Sequence, residues 1–277
     1  MAKTTKSFLK WIGGKGRIMS HLIAAAPQTF NNYFEPFLGG GSVYFAIREY
    51  FQLTSEPGNG VFYLSDANPE LITTFKAVQS DPDAVIERLR LLAAQHSKEF
   101  YLTFRKQRPA EPLDIAAWFI YLNKTCFNGM WRVNSKNEFN IPFGQYKNPT
   151  ICDRERILGA SVALQDAVIE CKSFVDLIAP GPGDFIYCDP PYHKTYGDSP
   201  KGGYHADGFA WAEQVKVKEI ADMWRAVGAN VMLSNSGTDE IRELYGDYNI
   251  LPISAPRTIG GGADRRANAE EFLITSY

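Results

Sequence analysis

Apolar residues along this chain follow two alternating rhythms. Ile18, Leu22, Ile23 and Ala26 fall at helical spacing within residues 15–26. A short aromatic run from Tyr33 to Phe37 comes next and ends in Gly39-Gly40-Gly41, after which Val43, Phe45 and Ile47 resume the helical spacing. Val61-Phe62-Tyr63-Leu64 reads as a buried strand closed by Ser65-Asp66. A strand, a glycine turn, a helix and a second strand form the opening of an α/β sheet. The pattern then predicts helical segments over 69–79, 82–107 and 112–126, with Pro69, Pro82 and Pro112 where helix starts tolerate proline. Residues 127–150, rich in Asn, Gly, Phe and basic side chains, predict a loop-rich or hairpin region. The α/β rhythm returns after about residue 157. It predicts strands at 168–171, 184–188 and 230–234, helices at 211–227 and near 238–245, and closing strands at 248–254 and 271–276. The expected organisation is an α/β unit made of residues 1–69 plus 157–277, interrupted by an inserted, mainly helical unit at 70–156.

Composition narrows the class. At roughly 150 residues per domain, the 277 residues suit two domains or one with a large insertion. The 45% apolar and 22% charged balance is that of an ordinary globular protein, which disfavours disorder and a disulfide scaffold. No apolar run approaches the roughly 20 residues of a membrane helix, and the N-terminus lacks a signal-peptide core, so a cytoplasmic protein is expected. The net charge of −2 does not announce a polyanionic partner. Its distribution says more, because Lys3, Lys6, Lys10, Lys15 and Arg17 stand with no acid before residue 18, and Lys124, Arg132, Lys136 and Lys147 face only Glu138 within 123–150. Such local patches suit either a phosphate-facing side or a solvated surface. The cysteines (126, 152, 171, 188) and histidines (21, 96, 193, 205) make no metal-ligand spacing, so no metal is expected.

Three motifs could carry chemistry. In Glu35-Pro36-Phe37-Leu38-Gly39-Gly40-Gly41-Ser42 the glycines let the backbone approach a ligand, and a following helix offers free N–H groups. Tyr44 stands where a dinucleotide fingerprint needs its third glycine. With Asp66 closing the next strand, where it could accept from ribose hydroxyls, the pair suits a nucleoside ligand without a pyrophosphate; a plain tight turn is the alternative. In Asp189-Pro190-Pro191-Tyr192 the prolines remove two N–H donors and leave an acceptor-rich corner beside an aromatic face. That corner fits a planar ring bearing an exocyclic amine, which would stack on Tyr192 and donate to the Asp189 carboxylate and the Pro190 carbonyl. The third motif, Phe8-Leu9-Lys10-Trp11-Ile12-Gly13-Gly14-Lys15, is not a P-loop, since Gly16 follows the lysine. Trp11 by itself reads as a core anchor.

These motifs, in this order, resemble the Dam family of DNA adenine-N6 methyltransferases, in which a recognition domain lies between cofactor and catalytic motifs. The resemblance extends over nearly the whole chain: Phe8–Lys15, Glu35–Ser42, Leu64–Asn68, Phe127–Asn134, Glu138–Tyr146, Asp189–Tyr192 and the closing Glu271–Ile274. It implies a Rossmann-like S-adenosylmethionine-dependent sheet and double-stranded DNA as partner, and it favours a monomer. Trp11, Lys15, Glu35, Gly39, Gly41, Asp66 and Asp189 would then contact or shape the S-adenosylmethionine site, and Asp189, Pro190 and Tyr192 would act in transfer. Asn128 and Met130 would occupy the space around a flipped base, Arg132 would read a guanine edge, and Lys10 and Tyr146 would contact bases or backbone. Arg132 to guanine O6 and N7 also suits the guanidinium fork on its own terms. Departures fall in the recognition loop. Phe127 stands where Tyr is frequent, Trp131 where the residue is often small, and Gln145 where it is often basic. GATC or a related short site is the expected target. An RNA amino methyltransferase, a catalytically silent DNA-binding member and a nucleotide-binding regulator are the competing readings.

Overall fold

The structure is a computed structural model that describes residues 6–54, 60–177, 179–193, 209–255 and 269–277. The described residues form a sheet of seven strands: β1 Tyr33–Glu35, β2 Phe62–Asp66, β3 Ala167–Cys171, β4 Phe185–Cys188, β5 Asn230–Ser236, β6 Asn249–Ala255 and β7 Ala269–Thr275. Their order is β3-β2-β1-β4-β5-β7-β6. β3, β2, β1, β4 and β5 pair in parallel, whereas β7 runs antiparallel between β5 and β6. The chain moves outward from β1 to β2 on one side and later to β4 on the other. The order therefore reverses at β1, and in open α/β sheets that reversal opens a crevice at the carboxyl ends of the strands. Because β7 is antiparallel, its early residues share this edge with the last of β5, Ser236 being paired with Glu271.

The helices are α1 Met19–Ala25, α2 Ser42–Thr54, α3 Pro69–Ser80, α4 Pro82–Ala94, α5 Lys98–Phe104, α6 Pro112–Thr125, α7 Arg154–Leu164, α8 Trp211–Ala226 and α9 Asp239–Leu244. Pro69, Pro82 and Pro112 each occupy the first helical position, as expected. Side-chain caps fix two of these starts: Asn68 accepts from Leu71 N–H at 3.1 Å and Asp81 from Ala84 N–H at 3.0 Å. The expected segment 82–107 is two helices rather than one. Ser97 turns extended and accepts from Phe100 N–H at 3.0 Å, starting α5 afresh.

From Ala116 to Thr125, α6 is buried on every side, and such a helix carries only a weak amphipathic rhythm. One buried cluster runs without a break from Phe185 and Ile169 of the sheet, through Phe75 of α3, to Phe119 and Tyr121 of α6. A second covers the opposite face, with Ile186, Val231 and Phe272 against Val217, Ala221 and Trp224 of α8. After α6 the chain folds back as an antiparallel hairpin, bridged at Cys126–Phe143 and Val133–Phe139. None of the described helices is long and apolar enough to cross a membrane.

Candidate active site

The carboxyl ends of β1, β2 and β4 each deliver one acid. Glu35 closes β1 and Asp66 closes β2, and Asp189 follows directly on β4. After β1 the chain turns sharply, with Gly39 at φ +48° and Gly41 at φ +68°, a region that favours glycine. Asp66 holds this turn in place. One carboxylate oxygen accepts from Gly39 N–H at 3.0 Å, and the other accepts from Asn68 N–H at 2.9 Å. Trp11 lies directly on the turn: a Cβ at Gly39 would come 2.7 Å from its Nε1, and one at Gly40 would come 2.7 Å from its Cβ. The sequence offered Trp11 as core anchor or as ligand contact, and its position suits both. Its ring also stacks on Phe119, with centroids 6.3 Å apart.

Lys15, only 5% exposed, reaches the Asp-Pro-Pro-Tyr corner. Its ammonium lies 2.7 Å from Asp189 Oδ2, donates to the Gly13 carbonyl at 2.8 Å and sits 4.7 Å from the centre of the Tyr192 ring. The other oxygen, Asp189 Oδ1, is shielded from solvent and has no hydrogen-bond partner among the described residues. The two oxygens are thus divided: one is neutralised by a lysine, the other is an open acceptor. Burial pushes the Asp189 carboxyl up from the usual range, and the Lys15 ammonium pulls it back down.

Glu35 occupies the interior beneath these groups. It accepts from the Tyr33 hydroxyl at 2.7 Å and from the backbone N–H of Tyr44. Burial lifts its carboxyl to about 8, with Asp189 and Asp66 adding repulsion and the two hydrogen bonds opposing it. At neutral pH this acid is largely uncharged.

Sequence reasoning missed the groups that hold Tyr192 and its neighbours. The Tyr192 hydroxyl donates to Glu271 of β7 at 3.0 Å. Gln214 of α8 donates to the Pro191 carbonyl at 2.7 Å and accepts from Asn235 Nδ2 at 2.9 Å. Asn235 Oδ1 accepts from His193 N–H at 3.3 Å, and Ser236 Oγ donates to the His193 carbonyl at 2.6 Å. A signal for Gln214 did exist, because it is a polar residue in register with the buried stripe Val217, Ala221 and Trp224.

The second group of expected residues gathers around the hairpin. Asn123 of α6 accepts from Lys10 N–H at 2.8 Å and donates to the carbonyls of Lys10 at 2.6 Å and Gly129 at 3.1 Å. This lashes the N-terminal strand of chain to the loop and brings Lys10 Nζ 3.9 Å from the centre of the Tyr146 ring. Asn128, exposed, sits at φ 55° and Met130 is half-buried against the core. Arg132 donates from Nε to Asn140 at 2.9 Å, which leaves its terminal nitrogens outside that bond. Trp131 is buried against Phe119 with centroids 4.1 Å apart, so its bulk fills the core beneath the loop and not the loop surface. Phe127, by contrast, is 50% exposed. The N-terminal segment joins the two groups, since Lys10 belongs to one and Lys15 to the other.

Among the described residues no cluster of three or more His, Cys, Asp or Glu could hold a metal ion. The sequence model of the D12 class N6 adenine-specific DNA methyltransferases matches residues 11–259. The chain is 36% identical to the Type II methyltransferase M1.LlaDCHI of Lactococcus lactis subsp. cremoris, across 98% of this chain and 95% of that protein. It is 34% identical to the Type II methyltransferase M.MjaIII of Methanocaldococcus jannaschii, across 98% and 99%. Against the DNA adenine methylase of Haemophilus influenzae the identity is 32%, across 97% and 92%.

Proposed function

Since the chain belongs to the D12 class of N6 adenine-specific DNA methyltransferases, we propose that it transfers a methyl group to N6 of an adenine flipped out of duplex DNA, within GATC or a related short site. The observation that carries this reading is the divided carboxylate of Asp189, with Oδ2 paired to Lys15 and Oδ1 shielded and, among the described residues, unpartnered. A buried acceptor without a donor is costly, and the two N–H groups of an adenine amine are donors of the right kind. Oδ1 takes one and the Pro190 carbonyl takes the other, while Tyr192 supplies the stacking face.

The methyl donor is S-adenosylmethionine, whose sulfonium already activates the methyl group. The site fits it. The turn at Gly39 and Gly41 favours glycine, Asp66 at the end of β2 brings a carboxylate to that turn as an acceptor for ribose hydroxyls, and Trp11 walls the turn. Lys15, placed at Asp189, borders the same space. Asp66 offers negative potential to a cationic donor, whereas Glu35 beneath it, lifted to about 8 by burial, holds its proton.

The chain's own residues then act by position and charge. An adenine amine is a weak nucleophile because its lone pair is conjugated into the ring. With Asp189 and Pro190 holding both hydrogens, N6 can pyramidalise and aim that lone pair at the methyl carbon. The N–C bond would form as the C–S bond breaks, the demethylated cofactor leaving with the electron pair, and Asp189, holding one amine hydrogen, would accept the proton that N6 gives up. Lys15 opposes the rise that burial imposes on the Asp189 carboxyl. Catalysis of this kind comes from orientation and from acceptors matched to charge developing on nitrogen.

Flipping the base costs a few kcal/mol. Residues 70–156 serve as the target-recognition part, and the hairpin supplies what offsets that cost. Met130 and Asn128 fill the vacated space, Lys10 and Tyr146 contact bases or backbone, and the free end of the Arg132 fork pairs with a guanine edge. The protein works as a monomer in the cytoplasm of a bacterial or phage-infected cell. Mapping N6-methyladenine after incubation with S-adenosylmethionine and unmethylated genomic DNA, with RNA in parallel, tests this. Methyl groups confined to one short DNA motif are expected. Product on RNA alone, or none on either with cofactor bound, would overturn it.

A further inference from the structure

The two prolines that make the acceptor corner also weaken its hold on itself. Pro190 and Pro191 have no N–H to donate, so the turn has two fewer backbone amides to tie it. Its first end is fixed by the sheet, where Cys188 is paired with Leu233 of β5. Its far end is fixed by three side chains. Gln214 donates to the Pro191 carbonyl, and Asn235 both donates to Gln214 and accepts from His193 N–H. Ser236 donates to the His193 carbonyl. Gln214 is 0% and Asn235 1% exposed. Amides buried among apolar side chains are retained only when their hydrogen bonds are met, and here the bonds converge on residues 191 and 193. None of them uses Asp189 Oδ1 or the Pro190 carbonyl, the two groups the target amine needs.

We propose that Gln214, Asn235 and Ser236 are positioning residues, a buried clamp that sets the aim of the Pro190 carbonyl and thereby the rate of methyl transfer. The proposal rests on Asp189 and Pro190 being the amine acceptors, and it assigns a rate-setting role to residues that touch neither substrate. Pulling on Pro191 and His193 moves the carbonyl one residue away, and near-attack geometry is sensitive to displacements of about 1 Å.

The test is single-turnover methyl transfer with saturating S-adenosylmethionine and duplex DNA, reading the rate constant and the amplitude separately, with binding of each ligand measured at equilibrium. Gln214→Met keeps the length of the side chain and removes the donor. Its rate constant is expected to fall roughly 10–100-fold while both dissociation constants stay within about threefold of wild type. A merely structural role would lower the amplitude, through fewer folded molecules, and leave the rate constant alone; that result overturns the proposal. If Gln214→Met does not fold, Ser236→Ala decides, since it removes one hydroxyl, with its bond to the His193 carbonyl and its long contact to Asn235 Oδ1 inside the same clamp. A slowed rate constant upholds the clamp and a wild-type one rejects it. Asp189→Ala, run in parallel, separates the two levels. Normal turnover there rejects the acceptor corner itself, whereas an inactive Asp189→Ala beside a wild-type Gln214→Met rejects the clamp alone.

Discussion

Glu35 offers a prediction whose size follows from its surroundings. Its carboxyl is lifted from an ordinary 4.5 to about 8, chiefly by burial. In the unfolded chain the same group would lose its proton near the ordinary value. Below that value both states hold the proton and Glu35 contributes no pH dependence. Between about 5 and 8 the folded state keeps a proton that the unfolded state has released, so stability falls as pH rises. The slope approaches about 1.4 kcal/mol per pH unit, with a ceiling of roughly 5 kcal/mol across the interval. Glu35→Gln removes the titration and keeps an oxygen to accept from Tyr33 and Tyr44. Its extra amide hydrogens, if unmet, add a fixed cost of about 1–3 kcal/mol that does not vary with pH. The quantity to read is therefore the pH trend of the difference between variant and wild type, in which most other titrating groups cancel. Urea unfolding followed by tryptophan fluorescence at pH 5, 6, 7 and 8 supplies it. The stability of Glu35→Gln relative to wild type is expected to climb steadily over that range and level off above it. A flat difference would mean that Glu35 ionises as it does in water, and would refute the argument that burial without a cationic partner keeps it neutral.

Lys15→Met removes the ammonium that counters the burial-driven rise of Asp189. The acid limb of the single-turnover rate should move to higher pH, and an unmoved limb would contradict the pairing. Asp189→Ala should abolish methyl transfer while duplex binding, measured by fluorescence anisotropy, largely survives; lost binding with turnover intact would reverse the assignment. Arg132→Ala should cost about 1–3 kcal/mol of discrimination at one guanine, read by methylation of single-base variants of the target, whereas uniform weakening on every sequence would place Arg132 on phosphate. Gly39→Ala puts a Cβ 2.7 Å from Trp11 Nε1 at a φ of +48°. It should lower stability by about 1–3 kcal/mol and weaken S-adenosylmethionine binding by calorimetry; neither changing would show that the turn yields freely.

The sequence alone carried what is local or strongly patterned. The strand and helix rhythms around 62–66, 185–188 and 211–226 follow from side chains meeting one face of a sheet or one stripe of a helix, and proline marked the starts of α3, α4 and α6. The glycine turn and the Asp-Pro-Pro-Tyr corner were legible because backbone freedom and missing N–H groups are properties of residue type. The single helix expected over 82–107 shows the limit on the local side, where one serine hydroxyl satisfying an N–H was enough to divide it. Tertiary structure decided which distant groups meet. Only the sheet order, with β7 reversed beside β5, places Glu271 against Tyr192 and Ser236 beside His193. Only folding brings Lys15 onto Asp189 and buries Glu35 until it favours its proton. Charge pairing and desolvation depend on what surrounds a side chain in space, and spacing along the chain holds no record of it.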